Sequence, residues 1–205
     1  MRSCRVSSIS IPFGTAVSSC STLIVCPLSF VSVASTLRAL VERERGRALV
    51  AYDPNIRLNV EPDVARWRDQ LQWMLPRTDL LKISQEDLEL LLPDSPIDVF
   101  AANALAQGVK LVVVTRGADG AQGWTALTTA SVPTPAVTVI DTVGAGDTFQ
   151  AALLTWLAEH DNLAPPALPK LSQHQLGEAI SFAAQGAAIT CSRRGADMPR
   201  RSELG

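Results

Sequence analysis

The sequence predicts an α/β fold: a mostly parallel sheet flanked by helices on both faces. Short apolar runs of strand length alternate with segments whose apolar residues recur at helical spacing, the pattern of strand–helix–strand crossovers. Hydrophobic residues make up 47% of the chain and charged residues only 19%, which suits a well-buried core rather than a disordered chain. At 205 residues the chain accommodates one substantial domain and is a poor fit for two.

The elements follow in order. TLRALVERERGR (36–47) has an amphipathic helical pattern that closes near Gly46. ALVAYD (48–53) is a short apolar run stopped by Pro54, the signature of a buried strand. DVARWRDQLQWML (63–75) is a helix with Asp63 as its cap and Pro76 as its stop. TDLLKIS (78–84) is another buried strand, and SQEDLELLL (84–92) a helix capped by Ser84, with Asp87 three residues on. PIDVFAANALAQG (96–108) is a helix ended by Gly108. KLVVVTRG (110–117) is the clearest buried strand. After the turn-rich GADGA, WTALTTASV (124–132) reads as one edge strand and AVTVIDT (136–142) as a further strand. GAGDTFQAALLTWLAEH (144–160) is a long helix and DNLAPPALPK (161–170) a proline-rich loop. LSQHQLGEAISFAAQGAAITCSRR (171–194) is mostly helix, rich in small residues on one side. In open parallel sheets, ligands bind beyond the carboxyl ends of the strands. Asp53, Ser84, Thr115 and Asp141–Thr142 stand at those ends and are expected to share one crevice.

Composition removes several functions. A net charge of −2 offers no basic field for nucleic acid or an anionic membrane, so any phosphate must be held locally. No run reaches the roughly 20 apolar residues that span a bilayer. Cys4, Cys20, Cys26 and Cys191 match no zinc or redox spacing and read as free thiols of a reducing, cytoplasmic compartment. Residues 1–35 differ from the rest: they hold no acidic residue and only Arg2 and Arg5 as charges. LIVCPLSFVSVAS (23–35) has the apolarity of a secretory leader, but Pro27 interrupts it and the arginines lie far from it. Residues 1–35 are therefore expected to be an atypical leader or a non-native start, and 36–205 the working domain.

The chemistry concentrates in DTVGAGDTFQAALL (141–154). The first N–H groups of a helix have no intrahelical acceptor, and the helix dipole adds positive potential there. Gly144 and Gly146 bring the backbone close to an anion without an intervening Cβ. A phosphate held there would lie beside Asp147, a carboxylate able to accept a hydroxyl proton. The plainer alternative is a glycine-loosened helix start whose Asp147 only favours the dipole.

These fourteen residues resemble, position for position, the C-terminal signature of the ribokinase (pfkB) family of carbohydrate kinases. The resemblance implies a ribokinase-like fold and an ATP-dependent sugar kinase with Asp147 as base. It implies that the backbone of Gly144, Ala145 and Gly146 forms the anion hole for the migrating phosphoryl group. VVVTRGADGA (112–121) is similar to the family's nucleotide loop, with Thr115, Gly117 and Gly120 at matching places, though an ordinary turn reads the same way. FAAQGAAITCSRRGA (182–196) resembles the segment against which adenine packs, with Ala183, Ala184 and Gly186 as a flat slot; close helix packing accounts for them equally. Asp141 matches the position that helps hold a monovalent cation, usually potassium, with backbone oxygens near Val143, Thr190 and Gly195; a loop-capping carboxylate is the alternative. KISQEDLELL (82–91) departs from the family's Asn-x-x-Glu pattern, placing Ser84 and Asp87 there. Asp87, with Glu86, is assigned to a magnesium shell, against a solvated helix start. YDPNIR (52–57) looks like the fructokinase and 2-keto-3-deoxygluconate kinase branches, with Arg57 toward phosphate or substrate, or in a surface ion pair.

The resemblance covers about residues 36–204 and implies that the family's N-terminal strands and lid are lacking, since the chain contains no Gly-Gly dipeptide. It points to fructokinase first. A nucleotide-binding remnant without catalysis and a kinase for another acceptor are the alternatives. Implied partners are ATP, Mg2+, K+ and a small sugar, with no nucleic acid and no membrane; a homodimer is allowed, although relatives often dimerise through the lid.

Overall fold

A computed structural model describes residues 21–25 and 31–205. The expectation of a leader over residues 1–35 falls largely outside the described residues, as do Cys4, Cys20 and Cys26. By internal contacts the chain divides into two compact units, Met1–Val112 and Val113–Gly205. They are described in turn.

In the first unit, β1 (Ser21–Val25), β2 (Ala48–Tyr52) and β3 (Leu80–Ser84) run parallel. Ser21 pairs with Ala48 and Val25 with Tyr52; Ala51 then pairs with Leu80. β2 is buried along its whole length, as a strand covered on both faces must be. Between the strands lie α1 (Val31–Glu44) and α2 (Val64–Met74), followed by α3 (Gln85–Leu91) and α4 (Ile97–Ala106). α1 starts five residues before the amphipathic pattern does. Asp63 caps α2 through its side chain, which accepts from the Ala65 N–H at 2.9 Å. Trp67, Leu71 and Met74 supply the buried face of α2, and Phe100, Ala101 and Ala104 that of α4. Asp79 ties three segments just ahead of β3. Its N–H donates to the Val50 carbonyl, its carboxylate accepts from the Val50 N–H, and its carbonyl accepts from the N–H groups of Lys110 and Leu111.

β4 (Leu111–Thr115) straddles the division. In the second unit, the single edge strand expected over 124–132 is a hairpin instead. β5 (Ala121–Trp124) and β6 (Thr129–Val132) pair antiparallel, with Trp124 opposite Thr129. The Thr125 hydroxyl makes the turn by accepting from the N–H groups of Leu127 and Thr128, a local device that a strand pattern conceals. AVTVIDT forms no strand. Pro133 and Pro135 precede it, and the N–H groups of Ile140 and Asp141 both donate to the Cys191 carbonyl rather than to a ladder.

The rest of this unit is α5 (Ala145–Glu159) packed on α6 (Gln173–Cys191). Ser172 and Gln175 form a complete capping box at the start of α6. Ser172→Ala is expected to cost about 1 kcal/mol, read from urea unfolding. A loss near zero would mean that tertiary contacts alone hold the start of this helix.

Candidate active site

The glycine at the head of α5 is fixed twice over. Gly144 is the N-cap residue at φ +82°, a left-handed conformation, and a Cβ there would stand 2.8 Å from the Ala196 Cβ and 3.2 Å from its Cα. The Gly144 carbonyl accepts the Thr148 N–H at 2.8 Å and begins the helix. Ala145, in contrast, donates its N–H to the Thr142 carbonyl at 3.2 Å, closing the turn that presents the glycines. Of the three residues expected to form an anion hole, one therefore has its amide in a local turn. Gly146 and Asp147 occupy the first helical turn, where backbone amides have no intrahelical acceptor, and both are exposed.

Asp141 organises the loops around this helix start. Its Oδ1 accepts from the Val143 N–H at 3.1 Å and its Oδ2 from the Gly195 N–H at 2.9 Å. Hydrogen bonds from the backbone of Val143 and Gly195 hold its carboxyl below the usual carboxylate range. Beneath, the hydroxyls of Thr148 and Thr190 meet at 2.9 Å in a buried contact between α5 and α6. Asp141, Val143, Gly144 and Gly195 are thus drawn together, with Thr190 one residue from the Cys191 carbonyl that receives the same loop.

The other glycines and alanines expected at the nucleotide have firm packing duties. Gly120 adopts φ +94°, and a Cβ there would meet the Val132 carbonyl oxygen at 2.1 Å. Gly117, at φ +51°, is exposed, and its carbonyl accepts from the Thr134 hydroxyl at 2.5 Å. Thr115 closes β4 and is partly exposed. Ala183 and Ala184 are buried in α6, while a Cβ at Gly186 would touch the Ala152 Cβ at 3.2 Å and the Thr148 Cγ2 at 3.4 Å. Gly186 thus lets α5 and α6 approach closely.

In the first unit, Lys82 and Asp53 form a buried ion pair, Nζ to Oδ2 at 2.8 Å, with each side chain only 6% exposed. Ser84 caps α3 by accepting the Asp87 N–H at 3.0 Å. Burial, followed by the neighbouring Asp53 charge, pushes the Asp87 carboxyl upward; the Ile56 N–H, the Ser84 hydroxyl and Lys82 oppose this. Glu86 is exposed. No group of three or more His, Cys, Asp or Glu side chains that could hold a metal ion occurs among the described residues. Arg57 is exposed and donates only to the neighbouring Ile56 carbonyl at 2.8 Å, so the surface ion pair considered for it is not formed among the described residues. The strand ends expected in one crevice include Asp53, Ser84 and Thr115; Asp141–Thr142 belongs to a loop instead. Lys82 escaped notice in the sequence, although a lysine inside the apolar run LLKIS is the signal that marks it.

The raised Asp87 carboxyl has a measurable consequence. The folded chain keeps this proton to a higher pH than the unfolded chain does. Between the two pKa values the folded state binds more protons, so stability falls as pH rises, and above both the cost is complete. Asp87→Asn, which retains an acceptor for the Ile56 N–H, is expected to raise the melting temperature at pH 7–8. Its advantage should vanish below the ordinary carboxylate range. Melting curves from pH 4 to 8 check this, and a variant less stable at every pH would show that the bonds to the carboxylate outweigh its burial.

The sequence profile described as "pfkB family carbohydrate kinase" matches residues 19–202. The chain belongs to that family. The pfkB chain is 36% identical over 168 residues to a fructokinase from Rhizobium leguminosarum bv. trifolii, covering 82% of this chain and 50% of the relative. It is 31% identical over 173 residues to fructokinase-2 from Solanum lycopersicum, covering 83% and 51%. Among solved structures, fructokinase from Vibrio cholerae O395 with fructose, ADP and calcium ion bound superposes with a TM-score of 0.75 at 28% identity, over 89% of this chain and 59% of that one. This pfkB chain spans about half the length of the curated relatives it matches. Among the described residues no helix is long and apolar enough to cross a membrane.

Proposed function

We propose that this chain serves an ATP-dependent sugar kinase, with fructose as the first acceptor to consider. The observation that carries the reading is the left-handed Gly144 that opens α5 and sets the exposed Asp147 beside first-turn amides. Asp147 takes the proton of the sugar hydroxyl as that oxygen attacks the γ-phosphoryl group. The amides of the Gly144–Gly146 turn other than that of Ala145, which the Thr142 carbonyl holds, oppose with the helix dipole the charge that develops on the transferring group. Gly117, Gly120 and Thr115 would bound the nucleotide phosphates, and the segment holding Ala183, Ala184 and Gly186 would pack against adenine. Arg57, free of carboxylate partners among the described residues, is available to phosphate.

Magnesium fits this chain modestly. Mg2+ keeps several waters and takes one or two protein carboxylates together with phosphate oxygens, a demand that Asp87 meets and Glu86 can supplement from the solvent side. When bound, it neutralises charge on the phosphates. A monovalent cation would lie against the loops that Asp141 fastens, using backbone oxygens near Val143, Thr190 and Gly195. The fructokinase names of the relatives and the fructose and ADP bound to the Vibrio cholerae enzyme support the choice of acceptor and nucleotide.

The test is ADP release from MgATP by the purified chain with fructose and a small sugar panel, including 2-keto-3-deoxygluconate. Fructose-dependent release is expected. A folded sample that melts higher with nucleotide yet never releases ADP would reduce the function to nucleotide binding.

A further inference from the structure

Gln150 is only 3% exposed, yet neither its Nε2 nor its Oε1 has a hydrogen-bond partner among the described residues. A buried amide left unsatisfied on both atoms is rare and calls for a reason. Its place in α5 suggests one. Gln150 is three residues after Asp147, and residues so spaced are neighbours on a helix surface. Side chains in an α-helix lean toward the N-terminus, so Gln150 leans over the turn that carries Asp147. Three flexible torsions allow its amide to advance further along that line.

We propose that Gln150 is a substrate-positioning group: on acceptor binding, its amide turns from its unsatisfied position to a sugar hydroxyl next to the one held by Asp147. This rests on the sugar-kinase reading above. An uncharged amide offers both a donor and an acceptor, which matches neighbouring hydroxyls of a neutral sugar. The exchange of an unsatisfied amide for a bonded one supplies the differential interaction that any ligand-linked movement needs. It also explains why an apolar residue of the same size, which would suit the buried position better, does not stand there.

The experiment compares Gln150→Met, of similar volume but without the amide, and Gln150→Asn, which retains the amide on a shorter stem. Melting temperature without ligand, the fructose-induced rise in melting temperature, and KM and kcat for fructose are read for each. Gln150→Met is expected to melt higher than the parent without ligand and to raise KM for fructose about 3- to 10-fold, the effect of one neutral hydrogen bond. Gln150→Asn should raise KM without the gain in stability. An unchanged KM in both variants, or a Met variant that melts lower, overturns the inference while leaving the kinase reading intact. A parent chain with neither a fructose-induced shift nor fructose-dependent ADP release overturns both.

Discussion

Asp147→Asn is expected to lower fructose-dependent ADP release by about 10²- to 10⁴-fold, the usual contribution of a positioned general base. The substitution preserves size and shape at an exposed position in the first turn of α5. The first-turn amides stay where they are, because Gly144 and the Thr148 N–H fix the start of the helix rather than the Asp147 side chain. Nucleotide should therefore still raise the melting temperature of the variant, and the fall should appear in kcat more than in KM for ATP. A variant with activity within threefold of the parent would remove Asp147 from the chemistry. A variant that lost nucleotide binding together with activity would mean that the carboxylate builds the site.

Lys82→Met is expected to cost about 3–5 kcal/mol, because it takes the cation away from a carboxylate that remains buried. For a chain of this size that corresponds to a fall of roughly 6–20 °C in melting temperature. Lys82 lies inside β3 and Asp53 directly follows β2, so the pair joins two neighbouring strands at the ends where ligands of such sheets bind. The methionine fills most of the space left by the lysine stem, which separates loss of charge from loss of packing. Adding Asp53→Asn to Lys82→Met should recover part of the stability, since the buried charge is then gone. A loss below about 1 kcal/mol in the single variant would show that the other contacts of Asp53 carry it without the lysine.

Legibility of the fold in the sequence depended on whether a segment's structure came from its own pattern. β2 and β4 are apolar runs, β3 is one with Lys82 inside it, and α2 keeps the Asp63 cap that its sequence presents. The sequence of β5 and β6 has the look of one strand because their turn is made by the Thr125 hydroxyl, with no glycine or asparagine at the bend. AVTVIDT differs in the opposite direction: its β-branched residues favour a strand, but the N–H groups of Ile140 and Asp141 donate to the Cys191 carbonyl, about fifty residues further on. At the candidate site, the turn ahead of α5 is legible at Gly144, whose left-handed backbone favours glycine. The buried pair of Lys82 and Asp53 depended on tertiary placement, which leaves only a faint trace in sequence.

The two hydrogen bonds of Asp141 also bear on when the site can take shape. Its Oδ2 contact with the Gly195 N–H joins positions 54 residues apart, and Gly144 rests against Ala196 just beyond. A chain emerging from the ribosome would thus present the signature motif long before it could organise it. Only after residue 196 has left the exit tunnel can the turn ahead of α5 be clamped, so the start of this helix is organised well after its own residues are made.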